Sequence, residues 1–327
     1  MSEKKAPIKS KIGGQAVIEG IMMRGLDKVS LVVRLASGEL DVETWAATSL
    51  VNKKWFLKIP IIRGVFGFVE SMMLGVKCLM KSAEKMEFEE EEETSENTEE
   101  QPALPLSDEQ DKKSDDSVLI KVVSAISMVL GVGLSLVLFM WIPSLITKHT
   151  TSFFGLDIPW LKTLMAGLIK IALFIVYLAL VSKMKDIKRV FMYHGAEHKA
   201  IACYEAGDDL TVENVRKHSR FHPRCGTSFI FIVLIISIIV FSFVTWNVLW
   251  QRLAIELALL PVVVGVSYEL IKLAGKYTNP FTKFLSAPGL ALQRLTTIEP
   301  EDNMIEVGIK ALTEVIPEDR DIDRWDS

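Results

Sequence analysis

Four apolar stretches, near residues 118–146, 161–182, 228–250 and 253–273, are each about long enough to cross a hydrocarbon layer of roughly 30 Å. They predict four transmembrane helices. Ahead of them the period changes. Apolar positions run through Ser30 to Leu35 and Leu40 to Trp45 and meet at Ser37-Gly38, which predicts a β-hairpin. From Pro60 to Lys81 the chain is apolar except for a stripe at Arg63, Glu70 and Lys77, spaced by seven and so on one helical face. That pattern fits a helix lying in the membrane interface, or one re-entering the bilayer. Residues 87–117 form an acidic run with little to bury, expected to be a disordered linker. Beyond the last apolar stretch, a helix starting near Pro300 is expected to pack Met304, Ile305, Ile309, Leu312 and Val315 on a cytoplasmic domain.

The expected fold is therefore a polytopic α-helical membrane protein of about four transmembrane helices, with a small cytoplasmic α+β domain that includes the N-terminal β-hairpin. Its segments are a β-containing part (1–58), the interfacial or re-entrant helix (59–86), the acidic linker (87–117) and transmembrane helices 1–2 (118–182). A histidine and cysteine loop (183–227), transmembrane helices 3–4 (228–275) and C-terminal helices (276–327) complete the chain.

Composition and charge refine this picture. Half of the residues are apolar and 24% are charged, which suits membrane spans joined to soluble segments. The net charge of −4 comes mostly from the one acidic run, so no nucleic-acid partner is expected. The N-terminus has no apolar core of a secretory signal. The loop at 183–227 carries nine Lys or Arg, whereas 147–160 carries only Lys148 and the connection between the third and fourth helices only Arg252. The positive-inside rule then places that loop and both termini in the cytoplasm of a bacterial cell membrane. Three cysteines are too few and too scattered for a disulfide framework, so reduced thiols are expected.

Chemistry concentrates in the basic loop. Four of the five histidines lie there, and His194-Gly195-Ala196-Glu197-His198 is an H-x-x-E-H pattern. On a helix both imidazoles share one face and can reach a single ion, while Glu197 can polarise a bound water. Zinc on His194, His198 and His222 would leave an open position for water; adding Cys225 would close the shell into a structural clamp. His218 could replace or join His222. Glu269 lies about as far downstream as the third ligand of soluble H-x-x-E-H peptidases, or it simply pairs with Lys272 or Lys170. Glu19 and Arg24 sit in a glycine-rich stretch that reads as a tight turn or close packing, or else as lining for the site.

The expected activity is metal-assisted hydrolysis at the cytoplasmic membrane surface, on a peptide, lipid or lipid-linked substrate. Zinc is the expected cofactor, Glu197 the base, and Arg224 or Arg24 the group that neutralises developing charge. The alternative is a non-enzymatic scaffold or transport-related protein whose metal, or whose headgroup-binding histidine loop, is structural.

Nearly the whole chain outside the acidic linker resembles the YqhQ-like bacterial multi-pass membrane proteins. The resemblance rests on 13–20 (GGQAVIEG), 22–25 (MMRG), 193–199 (YHGAEHK), 222–228 (HPRCGTS), Thr296-Thr297 and Glu299-Pro300. That family is a domain of unknown function described as a predicted metal-dependent enzyme. The resemblance implies a plasma-membrane protein and a metal, without a reaction.

Overall fold

The computed structural model describes residues 6–49, 54–96, 126–127, 129–155, 158–243, 249–277 and 279–325. The chain divides into two compact units, one of residues 1–89 with 177–327, the other of residues 90–176.

The first unit opens with a four-stranded antiparallel sheet in the order β1 (Gly13–Val17), β2 (Gly20–Arg24), β3 (Lys28–Arg34) and β4 (Leu40–Ala46). The hairpin expected from the alternation is β3 with β4, closed by Gly38 at φ 88. The glycine-rich stretch before it holds two further strands, joined by the turn Ile18-Glu19, with Val17 opposite Gly20. Alternation does not mark β2, because Gly20, Ile21, Met22 and Met23 are all buried, and a strand covered on both faces loses its polar side.

Helix α1 (Ile62–Glu96) lies across one face of the sheet. Cys78 packs there with Val17, Met22, Val29, Leu31 and Val33. The polar stripe read from the sequence faces protein: Glu70 pairs with Arg24, Arg63 with Glu269, and Lys77 lies 5.5 Å from the centre of the Trp45 ring. Lys81 and Lys85 continue the stripe onto Glu43 and Asp41. The helix also runs past residue 86 to Glu96, through the start of the acidic run expected to be disordered; glutamate is a good helix former. Residues 97–117 lie outside the described residues.

Helices α4 (Lys185–Ala206) and α9 (Asp302–Thr313) cover the other face. The core between them and the sheet contains Ile21, Met23, Val32, Tyr193, Ile201, Met304, Ile305 and Leu312. Each such large side chain contributes about 1.5–3 kcal/mol on burial. Gly308 lets α9 approach α4, since a Cβ there would lie 3.2 Å from the Ala196 carbonyl oxygen. The apolar face expected of the C-terminal helix is the face that packs.

Of the four expected spans, three described helices are long and apolar enough to cross a membrane: α2 (Val129–Phe153), the Trp160–Val181 part of α3 (Pro159–Val181), and the Ala254–Lys276 part of α7 (Leu249–Lys276). The stretch expected as the third is α6 (Gly226–Ser242), an apolar helix of 17 residues, and 244–248 lie outside the described residues. Helix α7 packs on α6 and on α8 (Pro280–Thr296), whose start is fixed by a capping box between Asn279 and Thr282. In the second unit, the Phe139 and Phe174 rings lie 6.4 Å apart at 61°.

Candidate metal centre

The site is built on α4, which begins just after the apolar helix α3. Glycine at position 195 lets the chain at Ile298 lie directly on the helix, where Ile298 N donates to the Phe191 carbonyl at 2.9 Å. That contact brings the end of α8 beside His194. The His194 Nδ1–H donates to the Thr296 carbonyl at 2.8 Å. The His198 Nδ1–H likewise donates to the Arg220 carbonyl at 2.6 Å. A carbonyl can only accept, so in each neutral ring the proton is on Nδ1 and the Nε2 lone pair is available.

Cys225 approaches from the loop that enters α6. Its Sγ is 3.1 Å from His194 Nε2 and accepts from Thr227 N at 3.4 Å as the cap of that helix. One donor atom from each of His194, His198 and Cys225 falls within 4.8 Å of the others. The two imidazole rings are 4.4 Å apart, centre to centre. These spacings suit three ligands of one tetrahedral ion, and a carbonyl behind each imidazole is the usual way a ligating histidine is oriented.

Glu197 lies next to this set, its carboxylate 3.9 Å from His194 Nε2. It is buried against β1, where Gly14 N–H donates to it. A Cβ on Gly14 would come 2.9 Å from both Glu197 Cγ and Oε1 and 2.7 Å from the Met22 carbonyl oxygen. Only glycine lets the strand pass this close. Burial pushes the Glu197 carboxyl up to about 7, against the opposing effects of His194 and the Gly14 N–H.

His222, expected as third ligand, is placed differently. Gln293 clamps its backbone on both sides, accepting from His222 N at 2.8 Å and donating to His222 O at 2.7 Å. Its ring lies 5.6 Å from that of His198, but its Nε2 accepts from Arg224 at 3.0 Å. Burial pulls the imidazole down to about 4; Glu205 opposes this, while Arg224 and His198 reinforce it. Arg224 itself pairs with Glu205. Burial would raise the Glu205 carboxyl, yet His222 and Arg224 outweigh it and hold it below its ordinary value. The geometry thus puts Cys225 beside His194 and His198, and puts His222 with Arg224 and Glu205.

The remaining candidates lie in other contacts. His218 Nε2 is 3.0 Å from Asp208. Glu269, weighed as a third ligand or else as a partner of Lys272 or Lys170, forms a two-pronged pair with Arg63. Glu19 holds Arg189 through two hydrogen bonds of 2.5 Å and accepts from Tyr193 OH at 3.1 Å, which docks the β1–β2 turn onto α4. Arg24 pairs with Glu70 on the opposite face of the sheet from Gly14. Sequence reasoning missed Glu205, Gln293 and the Thr296 carbonyl; it expected close packing in the glycine-rich stretch but not that Gly14 packs on Glu197. Glu205 follows His198 by seven, and that helical spacing was a usable signal; the Thr296 carbonyl has no sequence signature.

Fold and site together define a class: a mostly helical chain with membrane-length apolar helices and a small sheet that backs a partly buried His-His-Cys cluster. A family model described as "Protein of unknown function (DUF1385)" matches residues 59–318, and the chain belongs to that family. It is similar to the "Uncharacterized protein YqhQ" of Bacillus subtilis (strain 168), 35% identical over 317 residues, covering 97% of this chain and 95% of that protein. This agrees with the YqhQ-like resemblance carried by the sequence motifs. No solved structure matches.

Proposed function

We propose that the protein is a zinc-dependent hydrolase working at the cytoplasmic surface of the cell membrane on a peptide, lipid or lipid-linked substrate. The observation that carries this reading is the convergence of His194, His198 and Cys225 donor atoms within 4.8 Å, with both imidazoles oriented by backbone carbonyls. Two imidazoles and one sulfur fit zinc, and three protein ligands leave a fourth position for water. A bound divalent ion would supply a Lewis acid and make that water easier to deprotonate.

The protein's own groups do the rest. Glu197, held by the Gly14 N–H beside the ligand set, accepts the water's proton and returns it to the leaving group. Burial raises its proton affinity toward neutral pH, and a neighbouring cation acts in the opposite direction. Arg224, fixed by Glu205, contributes positive charge next to His222 on the flank of the site. The membrane setting is supported by the apolar helices that adjoin the site in sequence, α3 before α4 and α6 after Cys225. It is supported too by the outer face of α1, where Phe66, Val69, Met73, Val76 and Met80 form one exposed apolar stripe suited to the lipid interface.

The test is complementation of a deletion strain together with metal content of the purified full-length protein. Glu197→Gln is expected to keep its metal and lose complementation, whereas His194→Ala loses both. Full complementation by Glu197→Gln alongside failure of His194→Ala would remove the base and leave a structural clamp.

A further inference from the structure

A second polar feature lies at the end of α7, where the first and last described segments of the chain meet. Ser10 pairs with Arg324 as an isolated antiparallel bridge, and Trp325 N donates to the Lys9 carbonyl at 2.9 Å. Lys9 Nζ reaches the carbonyl of Lys276, the last residue of α7, at 3.5 Å. Beside these ties lies an open cleft of about 310 Å³ lined by Pro7, Ile8, Lys9, Lys276, Arg324 and Trp325. Three of those six residues are cationic and none is acidic. They come from three separate segments: backbone contacts hold the first and last together, and the Lys9 side chain reaches the third, so the fold brings the three cations to one place. Asp321 lies 3.7 Å from Arg324 and is well exposed, a pairing that solvent screens.

The composition of the walls indicates the ligand. Lysine and arginine heads bind phosphate oxygens, and arginine does so with two parallel N–H groups. Ile8, Pro7 and the Trp325 indole add an apolar wall, which a free anion does not need and a glycerol backbone can use. Lys276 ends a helix of membrane length, so in a bilayer it sits at headgroup depth, where basic residues attract anionic lipid and indoles are favoured. We propose that this cleft binds the phosphate of an anionic phospholipid headgroup. The Trp325 ring and the Arg224 stem both border Gly275, at 3.9 and 3.1 Å from its Cβ position, so the lipid would sit beside the arginine that pairs with Glu205. The inference does not depend on a metal at His194, and either reading can fail alone.

The test uses full-length protein in detergent, titrated separately with phosphatidylglycerol, phosphatidylcholine and inorganic phosphate. Binding is read by native mass spectrometry and by the shift in thermal unfolding midpoint. Phosphatidylglycerol is expected to bind more tightly than phosphatidylcholine, and each of Lys9→Gln, Lys276→Gln and Arg324→Gln to weaken it about fivefold. Each variant is first checked for an unchanged midpoint without lipid and for unchanged metal content. Should one of them fold poorly, the other two carry the comparison. Equal binding of the two lipids, or unchanged binding by the variants, would overturn the proposal. Tight binding of inorganic phosphate with no gain from the lipid would overturn the lipid assignment.

Discussion

At position 14 the sheet meets the candidate metal centre, and the contact there depends on a missing side chain. Gly14 passes its N–H to the Glu197 carboxylate, and a methyl group at that point would press on both Glu197 and the Met22 carbonyl oxygen. Neither strand β2 nor helix α4 can retreat freely, because Met23, Ile21 and Tyr193 are fully buried between them. Gly14→Ala is therefore expected to lower stability by about 1–3 kcal/mol, as overpacking of a tight interior does. The check is denaturant or thermal unfolding of both proteins in the same detergent, and an unchanged midpoint would contradict the close approach. The histidines show the same dependence on what lies behind them. The H-x-x-E-H spacing made the face shared by His194 and His198 readable from sequence, since it follows from helical period alone. It could not reveal that Arg224 occupies the His222 ring nitrogen, because that contact depends on where the loop before α6 folds back.

At the scale of elements, α1 shows how a correct periodicity can support two surroundings. Arg63, Glu70 and Lys77 do fall on one face, but that face meets the sheet and α7 while the apolar side is exposed. The same helix reaches Glu43 through Lys81 and Lys85, whose hydrogen bonds hold that carboxylate below its ordinary value of 4.5. A depressed carboxylate stabilises the fold above its unfolded value and loses that contribution as pH falls through its lower folded value. Stability should therefore decline below about pH 4.5 in the wild type, and Glu43→Gln should show a shallower decline over that range. Unfolding midpoints measured across that range check this, and parallel acid limbs in both proteins would contradict it. The strands follow a similar logic. The hairpin was legible through β4, a partly open outer strand joined to β3 at Ser37-Gly38, whereas β2 is buried on both sides, as β3 is, and reads as an undivided apolar run.

For the whole molecule, apolar length and helical period were legible in the sequence, and long-range convergence was not. The helices of membrane length and the C-terminal packing helix follow from local composition. The four-stranded sheet, the lining of one of its faces by α1, and the meeting of residues 6–11 with 321–325 rest on contacts far apart in the chain. One such convergence, of His194 and His198 on α4 with Cys225 at the start of α6, is the metal centre proposed above. Elemental analysis of the purified full-length protein tests it most directly. About one zinc ion per chain is expected in the wild type, and little or none in His194→Ala and Cys225→Ala. A wild-type protein purified without chelators that carries no metal would contradict it.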